Sequence, residues 1–488
     1  MNFIRNILLA LGAAPAAVAA GGDGLESCLN SAVTGGGSVA FPSDPFYQIS
    51  DVKPYNLNIA VTPAAVAFPA SSAQVAAIVK CAADRGYHVQ AKSGGHSYGN
   101  YGLGGTDGAI VVDLKNIQQF SMDNTTWHAT IGAGTLLGDV TQRLSDAGGR
   151  AMSHGTCPQV GSGGHFTIGG LGPTSRQFGA ALDHIIGVEV VLANSSVVWA
   201  SETENQDVFW AIKGAASGYG IVTAFKVRTE PQPGTAVQYT YSLDIGTAEM
   251  RATLFKQWQA YMSNPDLTWK LASTLTLLEE TLIITGTFFG TMEEFDKLGI
   301  DDHFPGANGS AVVIESWLGL VASWAEDAAL ELGGGVPANF YAKSNSWTKD
   351  TLMSDETIDK LFNYIESADK GTLVWFLLFD FQGGFTNTIP THATSYAHRD
   401  VLFWLQSYSI NLLGPVSQTQ IDFLEHVNTL VSTDGAPYAA YPGYVDPLMP
   451  NGPEAYWGTN LERLRQIKAE IDPNNVFRNP QSPAPASQ

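Results

Sequence analysis

The sequence predicts an α+β fold made of two regions with different patterns. Up to Arg228, short apolar strands and amphipathic helices are mixed without the regular alternation that is typical of a parallel α/β sheet. No strand–GxGxxG–helix unit occurs, so a Rossmann-type phosphate site is not expected. Residues 231–234 (Pro-Gln-Pro-Gly) are a candidate linker, and the β-rich runs beyond it predict a sheet with helices on one face.

Turn and capping residues mark the elements of the first region. Ser71 followed by Gln74 is a capping-box pattern that begins a helix, and Gly86 is suited to its C-terminal end. Apolar residues at helical spacing between Leu136 and Ala147 predict a second helix. Strands are predicted at 87–91, 110–114 and 220–228, and a hairpin at 185–193 and 197–201.

The second region combines long strand-like runs with helical patterns. Strands are predicted within 270–286 and over 371–381, and helices around 404–413 and over 421–430. A final helix carries apolar residues from Leu461 to Ile471, and Pro473 ends it. The tail at 481–488 is expected to be disordered.

Two glycine-rich loops carry the strongest chemical signal in the chain. The first reads KSGGHSYG from Lys92 to Gly99, and the second reads HGTCPQVGSGGH from His154 to His165. Glycine permits positive φ and lets backbone N–H groups approach a ligand closely, and successive amides form an anion-binding nest. The pattern therefore predicts a pyrophosphate cradle with an imidazole beside it.

Together the loops resemble the flavin-attachment loops of the berberine-bridge-enzyme-like oxidases, within the vanillyl-alcohol-oxidase superfamily. Among these, the chain is most similar to the fungal glucooligosaccharide and other carbohydrate oxidases. The resemblance extends to residues 166–178 and to the C-terminal segment 456–477. It implies a two-part FAD-binding module of the vanillyl-alcohol-oxidase type at 21–232 and 446–480. A substrate domain of antiparallel sheet plus helices would be inserted at 233–445.

The resemblance also implies how the cofactor is held. His96 would bond the 8α-methyl carbon of FAD, and Cys157 would bond ring carbon 6. Val160 lies where the family places a gate for dioxygen, and its small side chain is typical of an oxidase. The other implied cofactor contacts lie in the two loops and in later segments: Ser93, Gly94, Gly95, Ser97, Gly155, Gly161, Gly163, Gly164, His165, Gly220, Ile221, Val222, Tyr456 and Asn460.

Two residues are candidates for proton transfer. The segment YPGYVDP at 441–447 resembles the family segment whose second tyrosine, here Tyr444, is the base. Asp380 ends an apolar strand, where a carboxylate needs a partner, and it resembles the carboxylate that assists this tyrosine. We expect the substrate proton to pass to Tyr444 and then to Asp380. The alternatives are a structural aromatic at a domain junction and an aspartate that caps Gly383 and Gly384.

Three residues are candidates for substrate contact. Tyr98 matches an aromatic residue that stacks on sugar in the fungal members, although packing against the flavin is a comparable alternative. Alternation along 374–382 places Phe376 on the same face as Asp380, where it would line a cleft. Gln406 is a weaker candidate for a hydrogen bond to sugar. Related sugar oxidases often have glutamine where this chain has Leu378, which leaves the sugar undefined.

The cysteine count agrees with the resemblance. The chain has three cysteines, and an oxidising compartment would leave one of them unpaired. If Cys157 is bonded to the flavin, Cys28 and Cys81 are free to form a disulfide. The alternative is that Cys157 is a free buried thiol and the other two still pair.

Composition excludes several classes of protein. The net charge of −21 disfavours a nucleic-acid partner. The ten histidines show no HExxH or comparable spacing, so no metal site is expected.

Residues 1–20 read as a secretory signal peptide, with Arg5 before a short apolar stretch and small residues at 17–19. No later run is apolar enough to span a membrane.

The sequence therefore predicts a secreted, soluble, monomeric FAD oxidase. Three sequons, at Asn124, Asn194 and Asn308, are consistent with a secreted glycoprotein. The resemblance implies a reaction that oxidises the anomeric C1–OH of a reducing oligosaccharide to the lactone, with hydride passing to flavin N5 and dioxygen giving hydrogen peroxide. The nearest alternative is oxidation of an alkaloid or other secondary metabolite. More remote alternatives are a flavin-free binding protein and a metal hydrolase.

Overall fold

The computed structural model describes residues 24–243, 246–332, 336–432 and 438–486, without the side chains of 327–332. The predicted signal peptide lies outside these residues. In the described part of the chain, no helix combines the length and the apolar character needed to cross a membrane. The same residues contain no group of three His, Cys, Asp or Glu side chains placed to hold a metal ion.

The first region contains two sheets with helices packed around them. In the four-stranded sheet, the strands Ala65–Phe68 and Val89–Lys92 both run parallel to Ile110–Asp113, and Ser38–Ala40 pairs antiparallel at one edge. The antiparallel five-stranded sheet has the order Phe120–Asp123, His128–Gly132, Ile221–Arg228, Ile185–Val191, Val197–Ser201. The main helices are Leu25–Ala32, Ser72–Ala83, Leu137–Asp146 and Gln206–Ala215, and Arg150–Ala151 pairs with Glu230–Pro231.

The predicted elements of this region are confirmed, with small shifts at their ends. Ser71 caps the helix Ser72–Ala83 by accepting a hydrogen bond from Gln74 N. The Gln74 side chain accepts from Ala70 N rather than from the cap residue, so the capping box is only half formed. Gly86 follows with a φ of +76°, a conformation that glycine adopts without steric cost. Cys28 and Cys81 form a disulfide between the first two helices, as expected.

The second region is one seven-stranded antiparallel sheet with helices. The strand order is Asn308–Ile314, Ala236–Leu243, Leu282–Phe288, Leu271–Leu277, Val374–Phe381, Val401–Asn411, Asn339–Thr348. The helices are Ala248–Met262, Met292–Asp296, Ile300–His303, Trp317–Leu332, Asp355–Ser367 and Gln418–Val431.

Helices cover both faces of this sheet, not one as predicted. Ala248–Met262, Asp355–Ser367 and Gln418–Val431 bury their apolar residues against one face. The helix Trp317–Leu332 lies on the other face, where Trp324 Nε1 donates a hydrogen bond to Thr287 Oγ1. The rest of that second face is turned toward the first region and forms one wall of a cavity.

The helix predicted around 404–413 is wrong, because these residues form the strand Val401–Asn411. This strand pairs with Val374–Phe381 on one side and with Asn339–Thr348 on the other. Residues on both of its faces are buried, and apolar residues occur on both, which hides the period of two that marks a half-exposed strand.

The C-terminal segment returns to the first region as expected, but its tail is ordered further than predicted. The helix Leu461–Ile471 packs with the core of the first region. Disorder was expected from residue 481, yet Gln481 is buried and its Nε2 donates to Asp446 O and Met449 O at 2.8 and 3.0 Å. Ala486 N donates to Arg465 O at 3.0 Å. These backbone and amide hydrogen bonds hold the tail against the protein up to residue 486.

Candidate active site

A cavity of about 440 Å³ lies between the two glycine-rich loops and the second face of the seven-stranded sheet. The loops contact each other backbone to backbone at its base. A Cβ atom on Gly94 or on Gly161 would overlap the backbone nitrogen of the other residue. Ser93 Oγ donates to Ala133 O at 2.6 Å and accepts from Gly163 N at 3.3 Å. Only glycine fits at this crossing, so the two loops form one unit.

His96 lines the cavity and lies in the loop that follows the strand Val89–Lys92. The ring of Tyr55 stacks on the imidazole, with centroids 4.5 Å apart and planes at 28°. Burial lowers the pKa of His96 to about 4. The imidazole is therefore neutral at physiological pH and has a lone pair available for bonding.

Cys157 lies in the second loop and lines the same cavity. It is the free cysteine among the described residues, it is half-buried, and burial raises the pKa of its thiol. Val160 also lines the cavity. His165 Nε2 accepts a hydrogen bond from Gly155 N at 2.8 Å, and burial lowers its pKa to about 3. The second loop is thus fixed by an unprotonated histidine while its thiol faces the cavity.

Tyr444 and Asp380 come together as predicted, but through the side chain of Gln406. Gln406 Nε2 donates to Asp380 Oδ2 at 2.6 Å and to Tyr444 Oη at 2.8 Å. Thr274 Oγ1 donates to the other carboxylate oxygen at 3.0 Å. All four residues line the cavity. The alternative in which Asp380 caps the following glycines is therefore wrong.

The expected proton path from Tyr444 to Asp380 stays a prediction. Within the described residues, the two side chains are joined only by the Gln406 amide, and its N–H groups donate to both. Burial raises the pKa of Asp380, although the hydrogen bonds from Gln406 and Thr274 oppose the shift. Burial and then the nearby Asp380 raise the pKa of Tyr444 well above its ordinary value. Tyr444 therefore rests as a phenol.

One end of the cavity is aromatic. Tyr98 stacks against Tyr444 with ring centroids 5.9 Å apart, and its hydroxyl contacts that of Tyr408. Phe376 stacks on Tyr408 at 4.7 Å and is 2% exposed. Tyr408 Oη donates to Gln406 Oε1 at 3.3 Å. Gln406 is thus engaged on both of its amide atoms and joins Asp380 to Tyr444. Its contact with a sugar stays a prediction.

Five predicted cofactor contacts are not on the cavity wall. Gly220, Ile221 and Val222 pack in the core at the start of a strand, where a Cβ on Gly220 would meet Val190. Gly214, Ala215 and Ser217 line the cavity in their place. Gly163 packs on Ser93, and Asn460 binds the carbonyls of Thr391 and Thr394. The remaining predicted contacts do line the cavity: Ser93, Gly94, Gly95, His96, Ser97, Gly155, Cys157, Gly161, Gly164, His165 and Tyr456.

Sequence reasoning missed several residues of the sheet wall. Trp404, Tyr408 and Ile410 were missed, and they line the cavity together with the predicted Gln406, one at every second position. The alternation of these side chains was present in the sequence, but residues 404–413 were predicted to form a helix. Tyr55 carried no motif that marks it as a partner of His96.

Two family models match the chain, one before and one after the residues that form the seven-stranded sheet. An FAD binding domain matches residues 63–201, and a domain described as berberine and berberine like matches residues 440–483. The chain is 40% identical over 469 residues to the FAD-linked oxidoreductase sorD of Penicillium rubens, covering 94% of this chain and 98% of that protein. It is 34% identical over 457 residues to the xylooligosaccharide oxidase of Thermothelomyces thermophilus, covering 90% of each.

The chain belongs to the berberine-bridge-enzyme-like, FAD-linked oxidases.

Solved structures of this oxidase family share the whole architecture. A xylooligosaccharide oxidase from Myceliophthora thermophila C1 in complex with xylobiose superposes with a TM-score of 0.87 at 32% identity, covering 95% of this chain and all of that chain. A glucooligosaccharide oxidase from Acremonium strictum with 6-S-cysteinyl, 8α-N1-histidyl FAD superposes with a TM-score of 0.85 at 33% identity, with the same coverage. The α+β fold with its sheet-rich substrate domain is thereby confirmed.

The residues of this oxidase fit FAD. Gly164 lines the cavity, and a Cβ added there would meet open space, so a ligand can approach its backbone closely. Gly94 and Gly161 line the same cavity, and glycines let a backbone approach an anionic pyrophosphate closely. The neutral His96 imidazole and the Cys157 thiol lie on that wall and are the two nucleophiles suited to a flavin ring.

Proposed function

We propose that this oxidase converts the anomeric C1–OH of a reducing oligosaccharide to the lactone. The observation that carries the proposal is that Tyr444 and the Asp380 carboxylate converge on one amide in the cavity that also holds His96 and Cys157. Bound FAD supplies the two-electron acceptor, and dioxygen is reduced to hydrogen peroxide. Relatives named xylooligosaccharide, glucooligosaccharide and chitooligosaccharide oxidase support a sugar substrate.

The chain's own residues would move one proton. The substrate hydroxyl replaces the Gln406 N–H as the partner of Tyr444 Oη, and the phenolic O–H is then free to donate to Asp380. Tyr444 accepts the substrate proton as its own proton passes to the carboxylate. The burial that raises the pKa of Asp380 favours this transfer, because a carboxyl of raised pKa is a better proton acceptor. Gln406 keeps one N–H on Asp380 throughout and so fixes its position.

A peroxide-release screen tests the substrate class. Purified holoenzyme is mixed with reducing oligosaccharides of glucose, xylose and N-acetylglucosamine and with simple alcohols and amines. We expect peroxide from at least one sugar series and none from the sugar alcohols of the same series, which lack the free anomeric hydroxyl of the reducing end. Peroxide from non-carbohydrate alcohols or amines alone would exclude the sugar proposal.

A second candidate is oxidation of an apolar alcohol of a secondary metabolite. The aromatic end of the cavity favours it, because Phe376, Leu378 and Tyr408 are almost fully buried and offer little polar surface. The same screen separates the two candidates.

We further propose that His96 and Cys157 both bond the flavin, as in the Acremonium strictum enzyme. The intact mass of the wild-type chain should be raised by that of one FAD. His96→Ala and Cys157→Ala should each retain flavin after acid precipitation, because the other bond remains. The double variant should release it into the supernatant. Release of flavin from the wild type would contradict both bonds.

The pH profile tests the role of Asp380. Burial raises the pKa of this carboxyl, so the carboxylate that accepts the proton is present only above that raised value. We expect kcat/KM to fall on the acid side, with a midpoint above the ordinary range of aspartate, near 4. Asp380→Asn should lower kcat/KM and remove this limb. A residual acid limb in Asp380→Asn would assign it to another group.

We also propose that the enzyme is exported, with residues 1–20 removed as a signal peptide. The disulfide between Cys28 and Cys81 supports an oxidising compartment. N-terminal sequencing of the protein from the culture medium should give a sequence that begins close to Gly21.

A further inference from the structure

The two edge strands of the seven-stranded sheet differ in their exposure. The edge strand Asn339–Thr348 is buried along all but its two end residues. A later segment lies against it, where Tyr438 Oη donates to Ser344 O and Tyr441 N donates to Ser344 Oγ. The opposite edge strand, Asn308–Ile314, has six of its seven residues exposed. In the described part of the chain, no strand pairs with its outer side.

The exposed edge lacks the features that usually protect an edge strand. Natural edge strands carry charged residues, prolines or bulges, or are covered, because their free N–H and C=O groups can pair with another chain. The strand Asn308–Ile314 contains no charged residue and no proline. It pairs with residues 236–242 in continuous register, without a bulge. Val312 and Val313 are 61% and 41% exposed, so the strand has the composition of a segment prone to edge-to-edge association.

A glycosylation sequon lies at the start of this strand. Asn308, Gly309 and Ser310 form the sequon, and all three residues are exposed. The other end of the strand is followed by Glu315, an exposed charge of the kind that protects edges. A strand from another chain would have to lie about 4.8 Å from this one to pair with it. An N-linked glycan is bulky and hydrophilic, so a glycan on Asn308 would exclude such a strand.

We infer that Asn308 carries an N-linked glycan that prevents the exposed edge strand from pairing with a second copy of the chain. The inference depends on the proposed export, because such glycans are attached in the secretory pathway. The reaction forms a bond between Asn308 Nδ2 and the anomeric carbon of an N-acetylglucosamine. The bond from that carbon to the diphosphate of a lipid-linked oligosaccharide donor breaks. The lipid diphosphate leaves, and the amide loses one proton.

Peptide mapping of the secreted protein tests the modification. The full chain is expressed in a secreting fungal host, and the protein is treated with peptide N-glycosidase in heavy-oxygen water. Release of a glycan converts its asparagine to an aspartate that contains heavy oxygen. This label distinguishes glycosylation from spontaneous deamidation at Asn308 and Gly309 that occurred before the treatment. We expect the label at Asn308 in most molecules.

Variants of the sequon test the protective role. Asn308→Gln and Ser310→Ala each remove the sequon, whereas Ser310→Thr keeps it and is the matched control. In size-exclusion chromatography with light scattering, we expect the wild type and Ser310→Thr to be monomeric. The other two variants should form dimers and larger assemblies as the protein concentration rises. Peroxide release per flavin by their monomer fractions should equal that of the wild type, because the edge strand is not on the cavity wall.

Val312→Lys separates protection of the edge from a general effect of carbohydrate on solubility. A lysine within an edge strand disfavours pairing with another chain. The double variant Asn308→Gln, Val312→Lys should therefore be monomeric although it has no glycan at this strand.

Asn124→Gln is the control for loss of a glycan elsewhere. Asn124 follows the strand Phe120–Asp123, which is an edge strand of the five-stranded sheet. That strand has only four residues and ends in a charged one, and short, charged edges are already protected. Asn124→Gln should therefore stay monomeric.

Four results would overturn the inference. Secreted, active oxidase without the label at Asn308 would exclude the modification and leave the proposed function intact. An Asn308→Gln variant that stays monomeric at every concentration would exclude the protective role. Equal association of Asn124→Gln would assign the effect to carbohydrate in general. A protein that stays inside the cell and carries no glycan would overturn the proposed export and this inference together.

Discussion

Tyr444→Phe should lower the rate constant for flavin reduction by sugar by a factor of about 10² to 10⁴, the range that a positioned general base contributes. The variant removes the oxygen that receives the substrate proton and leaves the ring stacked on Tyr98. Because ring packing is retained, we expect flavin content and the apparent Kd of the sugar to change little. Anaerobic stopped-flow measurement of flavin reduction gives both quantities.

Tyr438→Phe is the control for this variant. Its hydroxyl donates to Ser344 O at 3.0 Å, and the residue lies six positions earlier, off the cavity wall. Its rate should stay within twofold of the wild type. If Tyr444→Phe reduced its flavin within threefold of the wild-type rate, Tyr444 would not be the base.

Lys343→Met should lower the free energy of unfolding by about 3–5 kcal/mol, the usual cost of leaving a buried charge unpaired. Lys343 Nζ lies 2.8 Å from Asp446 Oδ2, and Asp446 is fully buried. Burial alone would lower the pKa of Lys343, but Asp446 and Glu425 raise it, so the lysine stays charged. Methionine fills nearly the same volume, so the loss reports the charge. Denaturant unfolding followed by fluorescence measures it.

Glu425→Gln is the control for the ion pair. Glu425 Oε1 also contacts Lys343, at 2.9 Å, but its side chain is 43% exposed, and exposed ion pairs contribute about 1 kcal/mol or less. A similar loss of unfolding free energy in both variants would show that the buried ion pair contributes no more to stability than the exposed one.

Asp446 follows Tyr444 by two residues, so Lys343→Met should also lower kcat by displacing the tyrosine.

The sequence was most informative where function depends on consecutive residues. The loops at 92–99 and 154–165 correctly identified His96 and Cys157 as cavity residues, because glycines and their neighbours fix a local backbone path. It was least informative on the second region. The strand Val401–Asn411 is buried on both faces, so its apolar pattern resembled a helix and hid Tyr408.

The arrangement of Asp380, Gln406 and Tyr444 shows the limit of reasoning by residue type. Asp380 and Tyr444 were correctly expected to lie close together, but the amide that joins them was not foreseen. Gln406 lies 26 residues after Asp380 and 38 before Tyr444. Its amide reaches both only because the register of two strands places Gln406 opposite Leu378.

By itself the sequence determined the cofactor class and the disulfide, and it predicted the two side chains that we propose as anchors and the broad division of the chain, since each depends on local backbone geometry or on residue chemistry. The tertiary structure alone decided which polar groups face one another across the sheet. It placed an amide between the acid and the phenol, and it covered one edge of the seven-stranded sheet while leaving the other exposed. Strand register and the packing of one region on the other set these contacts, and neither is encoded in any short segment.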